Sequence, residues 1–356
     1  MAATASLPPS FAFIVHPRDE DDIRRARCMS LLRTFSSDDA DFLARALSLP
    51  PTLLGDVTIG FSPFRGELIS IACLSEDVMS VRGRREIERA VDLAVHRGAS
   101  VIGLGALTAP ATAGGARLVD RVPPGVTLTN GNAYTAAVLV ESVADASETF
   151  ASRSPARVAV VGCTGSVGTV VSRLLAARGF DLVLVGRTAS KARRLLGDLA
   201  PVASFSGEPS DAGSADVVLL LTSAPSARLP ARSLSEGVVV IDAAEPPNVR
   251  EEDERAWAGR VAYARGGRAL IPGFRSAHDF GLDGPEETYA CLAETYLFAR
   301  EGIRDHSVGS PGEEAAERMA RVAKRHGVSP APLVFRQPRA ADSAGGRRKR
   351  EVVPPR

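Results

Sequence analysis

Arg157-Val-Ala-Val-Val-Gly162-Cys-Thr-Gly165-Ser-Val-Gly168 reads as a short apolar strand, a glycine turn and the opening of a helix. The spacing is G-x-x-G-x-x-G, in the setting where backbone N–H groups at a helix start cradle a pyrophosphate. Gly162 permits the tight turn, Gly165 leaves room for the phosphates to approach, and Gly168 lets the helix lie close to the sheet. Thr164, Ser166 and Val167 complete the loop and count with the glycines as dinucleotide-binding candidates.

Outward from this turn the second half continues with a strand at Asp181–Val185, a helix at Ser190–Leu199, and strands at Val217–Leu221 and Gly237–Asp242. Apolar, β-branched strands alternating with helices predict a parallel, doubly wound sheet covered on both faces. The first half alternates in the same way: a strand at Phe11–Val15, a long helical stretch from Asp21 to Leu47, a strand at Glu67–Leu74, a helix at Arg84–Arg97 and a strand at Ser100–Leu104. A further helix runs from Ala133 to Phe150 and stops at Ser152-Arg153-Ser154-Pro155. The expected class is α/β: a smaller α/β substrate domain over residues 10–150, a Rossmann-type NAD(P)-binding domain over 151–275, and C-terminal helices over 276–328, at Pro285–Arg300 and Pro311–His326.

The chain has 356 residues, 45% of them hydrophobic, and a net charge of +1, which removes the broad basic field that phosphate-bound nucleic acid requires. Nucleic acid is therefore not an expected ligand. The charge is uneven: residues 329–356 carry +5 and the remainder −4, so the tail reads as a disordered basic extension. Four cysteines without Cys-x-x-Cys spacing, and no apolar run approaching the ~20 residues of a membrane span, predict a cytoplasmic protein that does not cross a bilayer. His16, His96, His306 and His326 show no metal-ligand spacing, and no metal is expected.

The end of the second strand of a dinucleotide fold chooses the cofactor, because an acid there holds a ribose 2′-hydroxyl and excludes a 2′-phosphate. Here the strand ends Val185-Gly186-Arg187-Thr188. Arg187 can pair with a phosphate, Thr188 and Lys191 add donors, and NADPH is the expected cofactor. Leu221-Thr222-Ser223 ends a later strand at the same edge, so Thr222 and Ser223 are expected to flank the cofactor.

Among the cysteines, Cys28 and Cys73 lie in apolar patterns typical of core residues, and Cys163 sits inside the glycine loop. Cys291 follows Gly284-Pro285-Glu286-Glu287-Thr288-Tyr289-Ala290. Spacing alone leaves it either a buried structural residue or a nucleophile, with Glu286, Glu287 and Glu294 opposing a thiolate. His278 lies in Gly273-Phe-Arg-Ser-Ala-His278-Asp-Phe-Gly-Leu-Asp283, a segment that could present a titratable ring to a cleft or simply hold a hydrogen-bonded histidine.

Taken in order, five segments resemble the cyanobacterial long-chain acyl-[acyl-carrier-protein] reductase family: Phe11–His16, Thr129-Asn-Gly-Asn132-Ala-Tyr-Thr135-Ala, Val160–Gly168, Pro272-Gly-Phe-Arg-Ser-Ala-His278-Asp-Phe, and Tyr289-Ala-Cys291-Leu-Ala-Glu294. The resemblance implies that Cys291 carries an acyl group, that an acyl thioester is reduced by NADPH to the aldehyde, and that an acyl carrier protein is a candidate donor. His278 is then the candidate general acid/base, and Asn132 a substrate-binding candidate that could equally cap its helix. The segment between His278 and Cys291 is shorter than the family's, and most of the first domain diverges. The rivals are a shikimate- or amino-acid-type dehydrogenase, opposed by the absence of any lysine before Lys191, and a non-catalytic NADP(H)-binding protein. Arg82, Arg84, Arg85 and Arg89 form a cluster that reads either as a docking patch for an acidic carrier or as a solvated helix face interrupted by Glu86 and Glu88.

Overall fold

The computed structural model describes residues 10–60, 62–152, 154–222, 229, 231–257, 259–335 and 351–352. The chain divides into two compact units, one of residues 1–134, 269–310 and 318–329, the other of 135–268, 311–317 and 330–356.

The first unit is built on a six-stranded sheet, in spatial order Phe274–Ser276, Thr52–Ile59, Arg65–Ser70, Phe11–Val15, Val101–Leu104 and Thr127–Thr129. The last four strands are parallel, and the first two join by antiparallel pairing. Successive side chains alternate between faces. Ala12, Ile14, Ile69, Ile102 and Leu104 pack into one core with Ile87, Ala90, Val91 and Ala94 of the helix Val81–His96. On the other face lies the helix Ala290–Glu301, whose Tyr296 ring meets Phe11 edge-on at 6.3 Å. That helix comes close because Gly103 has no side chain: an ideal Cβ there would stand 2.0 Å from Thr295 Oγ1.

The second unit carries a fully parallel six-stranded sheet, in spatial order Ala262–Arg265, Val239–Asp242, Val217–Leu220, Arg157–Val161, Asp181–Val185 and Ala203–Ser206. Numbered along the unit this is 3-2-1-4-5-6, the doubly wound dinucleotide-binding order. Val158, Val160, Leu182, Leu184, Leu219 and Ile241 enter one core, and Ala159, Val161, Val183, Val185, Val218 and Val240 enter the other. Burial on both faces explains why these strands read as unbroken apolar runs.

The α/β class and the Rossmann-type sheet are as expected, while several boundaries differ. The division falls inside the helix Asn132–Phe150, at Tyr134/Thr135, and not at 150/151. Residues 269–275 and most of 276–328 belong to the first unit, where they supply an edge strand and a covering helix and do not stand as a separate C-terminal segment. The long helix expected over 21–47 is broken into Glu20–Arg25, Ser30–Thr34 and Asp39–Ala46 with a 3₁₀ turn between the first two; Asp19 caps the first by accepting from Asp22 N, and Asp38 caps the new start of the third by accepting from Asp41 N. Of the tail, residues 329–335 are part of the fold: Phe335 is buried and packs edge-on against Phe150 at 4.9 Å.

Gly168 tests the helix approach in the second unit, since a Cβ there would stand 2.2 Å from Gly162 O and 2.9 Å from Cys163 Cα, both backbone atoms. Gly168→Ala is expected to cost about 1–3 kcal/mol in urea unfolding. Gly312→Ala, where nothing lies within 4 Å, is the control that leaves the midpoint unchanged or slightly raised.

Candidate functional site

The glycine turn leaves the strand Arg157–Val161 where the strand order of the second sheet reverses, beside Val217–Leu220. Gly162 adopts φ +98°, and its N–H donates to Val185 O at 2.8 Å, while Gly165 N donates to Gly162 O at 3.0 Å. Gly165 opens the helix Ser166–Ala177 with no side-chain cap, and a Cβ on it would approach only Gly162 O, at 3.3 Å. An exposed, side-chain-free start of this kind is a cradle that fits a pyrophosphate. Thr164, Ser166 and Val167 are part-exposed around it, whereas Gly168 is buried.

Thr222 lies directly against the turn, 3.1 Å from where a Gly162 Cβ would be. Its carbonyl accepts from Asn248 Nδ2 at 2.6 Å. Asn248 is in turn fixed by Asp242, a fully buried acid that accepts from the N–H groups of Ala244, Asn248 and Val249 and pairs with Arg265 at 3.3 Å. Burial raises the Asp242 carboxyl above its ordinary value despite these partners. Asn248 and Asp242 were missed in the sequence; an acid ending a strand just before a proline-rich turn was the available signal. Ser223 lies outside the described residues. Arg187 is exposed just past the strand Asp181–Val185. Thr188 caps the following helix, its Oγ1 accepting from Lys191 N at 3.3 Å, so its first task is local and not phosphate donation.

In the first unit Cys291 is part-exposed in the opening turn of the helix Ala290–Glu301. Gly131, buried at φ +72°, rests on it: a Cβ at Gly131 would stand 2.1 Å from Cys291 Cβ. The turn carrying Gly131 follows the strand Thr127–Thr129, at the carboxyl edge of the parallel strands, where open α/β sheets bind ligands. Asn130 holds this turn, donating to Gly114 O and Gly309 O at 2.9 and 2.8 Å and accepting from Asn132 N at 3.1 Å. Helix capping, left open for Asn132, is thus met at its backbone by Asn130, and Asn132 itself is part-exposed at the helix start.

The three acids expected to oppose a thiolate have other partners. Glu286 accepts from Gly273 N at 2.8 Å, and Glu287 from Asp283 N and Gly284 N at 3.1 Å each. Glu294, fully buried, accepts from Thr129 Oγ1 at 2.5 Å and Tyr134 N at 2.6 Å.

His278 follows the edge strand Phe274–Ser276, its N–H donating to Ser276 Oγ at 3.1 Å. Its ring stands edge-on to Phe280 at 5.1 Å, and Phe280 edge-on to Tyr289 at 5.8 Å, the residue that caps the Cys291 helix. Burial lowers its pKa, with Asp22 and Asp279 opposing and Arg18 reinforcing the shift. The ring is neutral at pH 7.

Of the other cysteines, Cys163 is fully buried and its thiol is pushed up to about 12 by desolvation. Cys73 is buried and also raised. Cys28, expected in a core, is exposed in the 3₁₀ turn Arg27–Met29.

Residues 144–260 match the family model of shikimate/quinate 5-dehydrogenase. With the strand order and glycine turn, this defines an NAD(P)-dependent oxidoreductase with a Rossmann-type nucleotide-binding unit. The chain is 25% identical over 321 residues to the long-chain acyl-[acyl-carrier-protein] reductase of Synechococcus elongatus, covering 81% of this chain and 90% of that protein. It is also 25% identical to the aminotransferase PigE of a Serratia species over 91% of this chain, spanning 40% of that protein's length. Among solved structures, the quinate dehydrogenase of Corynebacterium glutamicum in complex with NAD is similar at TM-score 0.40 and 12% identity, covering 88% of this chain and 99% of that one.

The contrast among thiols is directly measurable. Brief chloroacetamide treatment of the native protein at pH 8, read by peptide mapping, is expected to label Cys291 and leave Cys163 and Cys73 unmodified, all four becoming labelled in denaturant. Labelling of Cys163 in the native state would show that its site is open.

Proposed function

We propose that this protein is an NADPH-dependent reductase of acyl thioesters that releases the aldehyde through an acyl-Cys291 intermediate. The observation that carries this reading is the contact of Gly131 with Cys291, which joins two of the family-like segments, 160 residues apart, at one partly exposed thiol. The sequence similarity to a long-chain acyl-[acyl-carrier-protein] reductase supports it. The match to shikimate/quinate dehydrogenase lies wholly in the nucleotide-binding unit and bears on the cofactor.

In this reading Cys291 Sγ attacks the carbonyl carbon of the incoming thioester, forms a new C–S bond and expels the donor thiol. Cys291 stands in the first turn of the helix Ala290–Glu301, where backbone N–H groups are able to bind an anion. His278, neutral at pH 7, is the proposed acid/base: it takes the Cys291 proton and returns one to the departing thiol. The glycine turn and Arg187 would hold NADPH, which when bound would supply the hydride that takes the acyl group to the aldehyde level. Cys291 is then the leaving group as the aldehyde departs, and the thiolate is restored. Asn132, beside Gly131 and part-exposed, is proposed to contact the acyl group.

An acidic acyl carrier protein is the proposed donor, with Arg82, Arg84, Arg85 and Arg89 as its docking candidates. Part of this cluster has local work: Arg82 donates to Leu47 O, Arg84 to Met79 O at 2.6 Å, and Arg89 to Glu86 at 3.0 Å. Arg85, exposed, is left as the strongest single candidate.

Cys291→Ser is expected to abolish aldehyde formation and the acyl adduct seen by intact mass spectrometry while NADPH binding persists; reduction at the wild-type rate by this variant overturns the covalent route. Arg187→Ala is expected to weaken NADPH by about 1.5–3 kcal/mol, roughly ten- to a hundredfold, and to leave NADH almost unchanged. Superimposable NADPH titrations of variant and wild type would remove Arg187 from the site.

A further inference from the structure

Glu294 is a carboxylate with no exposed surface, three residues after Cys291 on the same helix. Burying a charge is costly unless donors surround it, and here they do. Thr129 Oγ1 and Tyr134 N–H donate to its two oxygens, with further bonds from Ala133 N–H and the Ser307 side chain. The Tyr134 and Ala133 N–H groups belong to the first turn of the helix Asn132–Phe150, whose unpaired donors and dipole favour an anion.

The Thr129 hydroxyl extends this network toward the nucleophile. While donating to Glu294, its oxygen accepts from Gly131 N–H at 3.1 Å. A hydroxyl has one proton, so donation to Glu294 leaves its lone pairs for Gly131 and sets the direction of both bonds. Gly131 is the residue that lies on Cys291. The path Glu294–Thr129–Gly131–Cys291 therefore closes on the helix from which it starts, locking the turn against the Cβ and backbone of Cys291.

We infer that Glu294 is the positioning residue of the Cys291 site, holding the Thr129–Asn132 turn as a fixed wall against the Cα and Cβ of Cys291 through the Thr129 hydroxyl. This rests on the acyl-thioester reading for its consequence in turnover, but the wall itself belongs to the fold. An amide cannot replace the acid, because the donors converging on two oxygens would meet an NH₂ group at one of them. Serine can replace Thr129, because it keeps the hydroxyl; valine cannot.

The test uses the full chain as wild type, Glu294→Gln, Thr129→Val and Thr129→Ser. Two rates are read: acylation of Cys291 by a small synthetic acyl thioester, and chloroacetamide alkylation of Cys291 relative to exposed Cys28 in the same sample. Misplacement by about an ångström costs up to roughly a hundredfold, so Glu294→Gln and Thr129→Val are expected to slow acylation 10- to 100-fold and to change the Cys291:Cys28 alkylation ratio. NADPH binding stays unchanged, and Thr129→Ser behaves as wild type. A merely structural loss would lower stability without this rescue pattern. If Glu294→Gln does not fold, the Thr129→Val and Thr129→Ser pair decides. The inference is overturned if Thr129→Val keeps wild-type rates, or if Thr129→Ser is as impaired as Thr129→Val. Should wild type take up no acyl group while the alkylation ratio still shifts in the variants, the positioning role stands and the thioester reading fails. Acylation by every variant at the wild-type rate does the reverse.

Discussion

Backbone must come within van der Waals contact of side chains wherever a helix seals a parallel sheet, and in this protein absent Cβ atoms permit it. Gly103 admits Thr295, Gly66 admits the Phe11 ring, Gly168 admits the carbonyl of Gly162, and Gly131 admits Cys291. At each position a methyl group would stand within about 2.3 Å of its neighbour, well inside the separation at which attraction turns to repulsion. The same constraint thus sets the thickness of both units and the floor of both candidate sites.

The two sites use glycine differently. In the nucleotide-binding unit, Gly165 keeps space empty, leaving a helix start without a side chain over it. Beside Cys291 the space is filled: Gly131 is buried, rests on the Cβ and backbone of Cys291, and has its N–H committed to Thr129. One arrangement suits a ligand that brings its own charge to backbone donors. The other suits a reacting atom that must be held still, with donors consumed by the protein.

The second sheet was legible because parallel strands buried on both faces leave an unbroken apolar signature, and Val158–Val161, Leu182–Val185 and Val217–Leu220 carry it. Thr52–Ile59 was missed for the opposite reason: it pairs antiparallel near an edge, holds Gly55 and Asp56, and buries only Val57 and Ile59 fully. Ala203–Ser206, an edge strand with no fully buried residue, was invisible in the same way. Apolar spacing over 21–47 suggested one helix because periodicity does not register a change of axis; Asp38, the aspartate that begins a new helix inside the stretch, was the readable mark. The unit boundary was misplaced because a proline-containing break after Phe150 looks like a linker, whereas the division runs through the helix before it.

Of the candidate site, residue types were legible and partnerships were not. Glu294 reads in sequence as a negative charge near a cysteine, which would hinder a thiolate. In the fold its charge is spent on Thr129 and on the start of another helix, from a segment about 160 residues away in the chain. Desolvation still raises its proton affinity above the ordinary value, so its donors offset burial only in part. A chain that needed only packing here would be served as well by an apolar residue, since a buried ion is weak evidence for stability. What an acid with convergent donors adds is direction: each donor has one acceptor and each bond one orientation, so the turn facing Cys291 has a single arrangement where an oily contact would allow several. Cys163 shows the converse case, a thiol inside a glycine turn and fully enclosed, where desolvation outweighs the opposing pull of Lys191 and raises its pKa. The difference between the part-exposed Cys291 and the enclosed Cys163 therefore lies in burial and in what the surrounding polar groups are doing, and neither is written in the residues next to them in sequence.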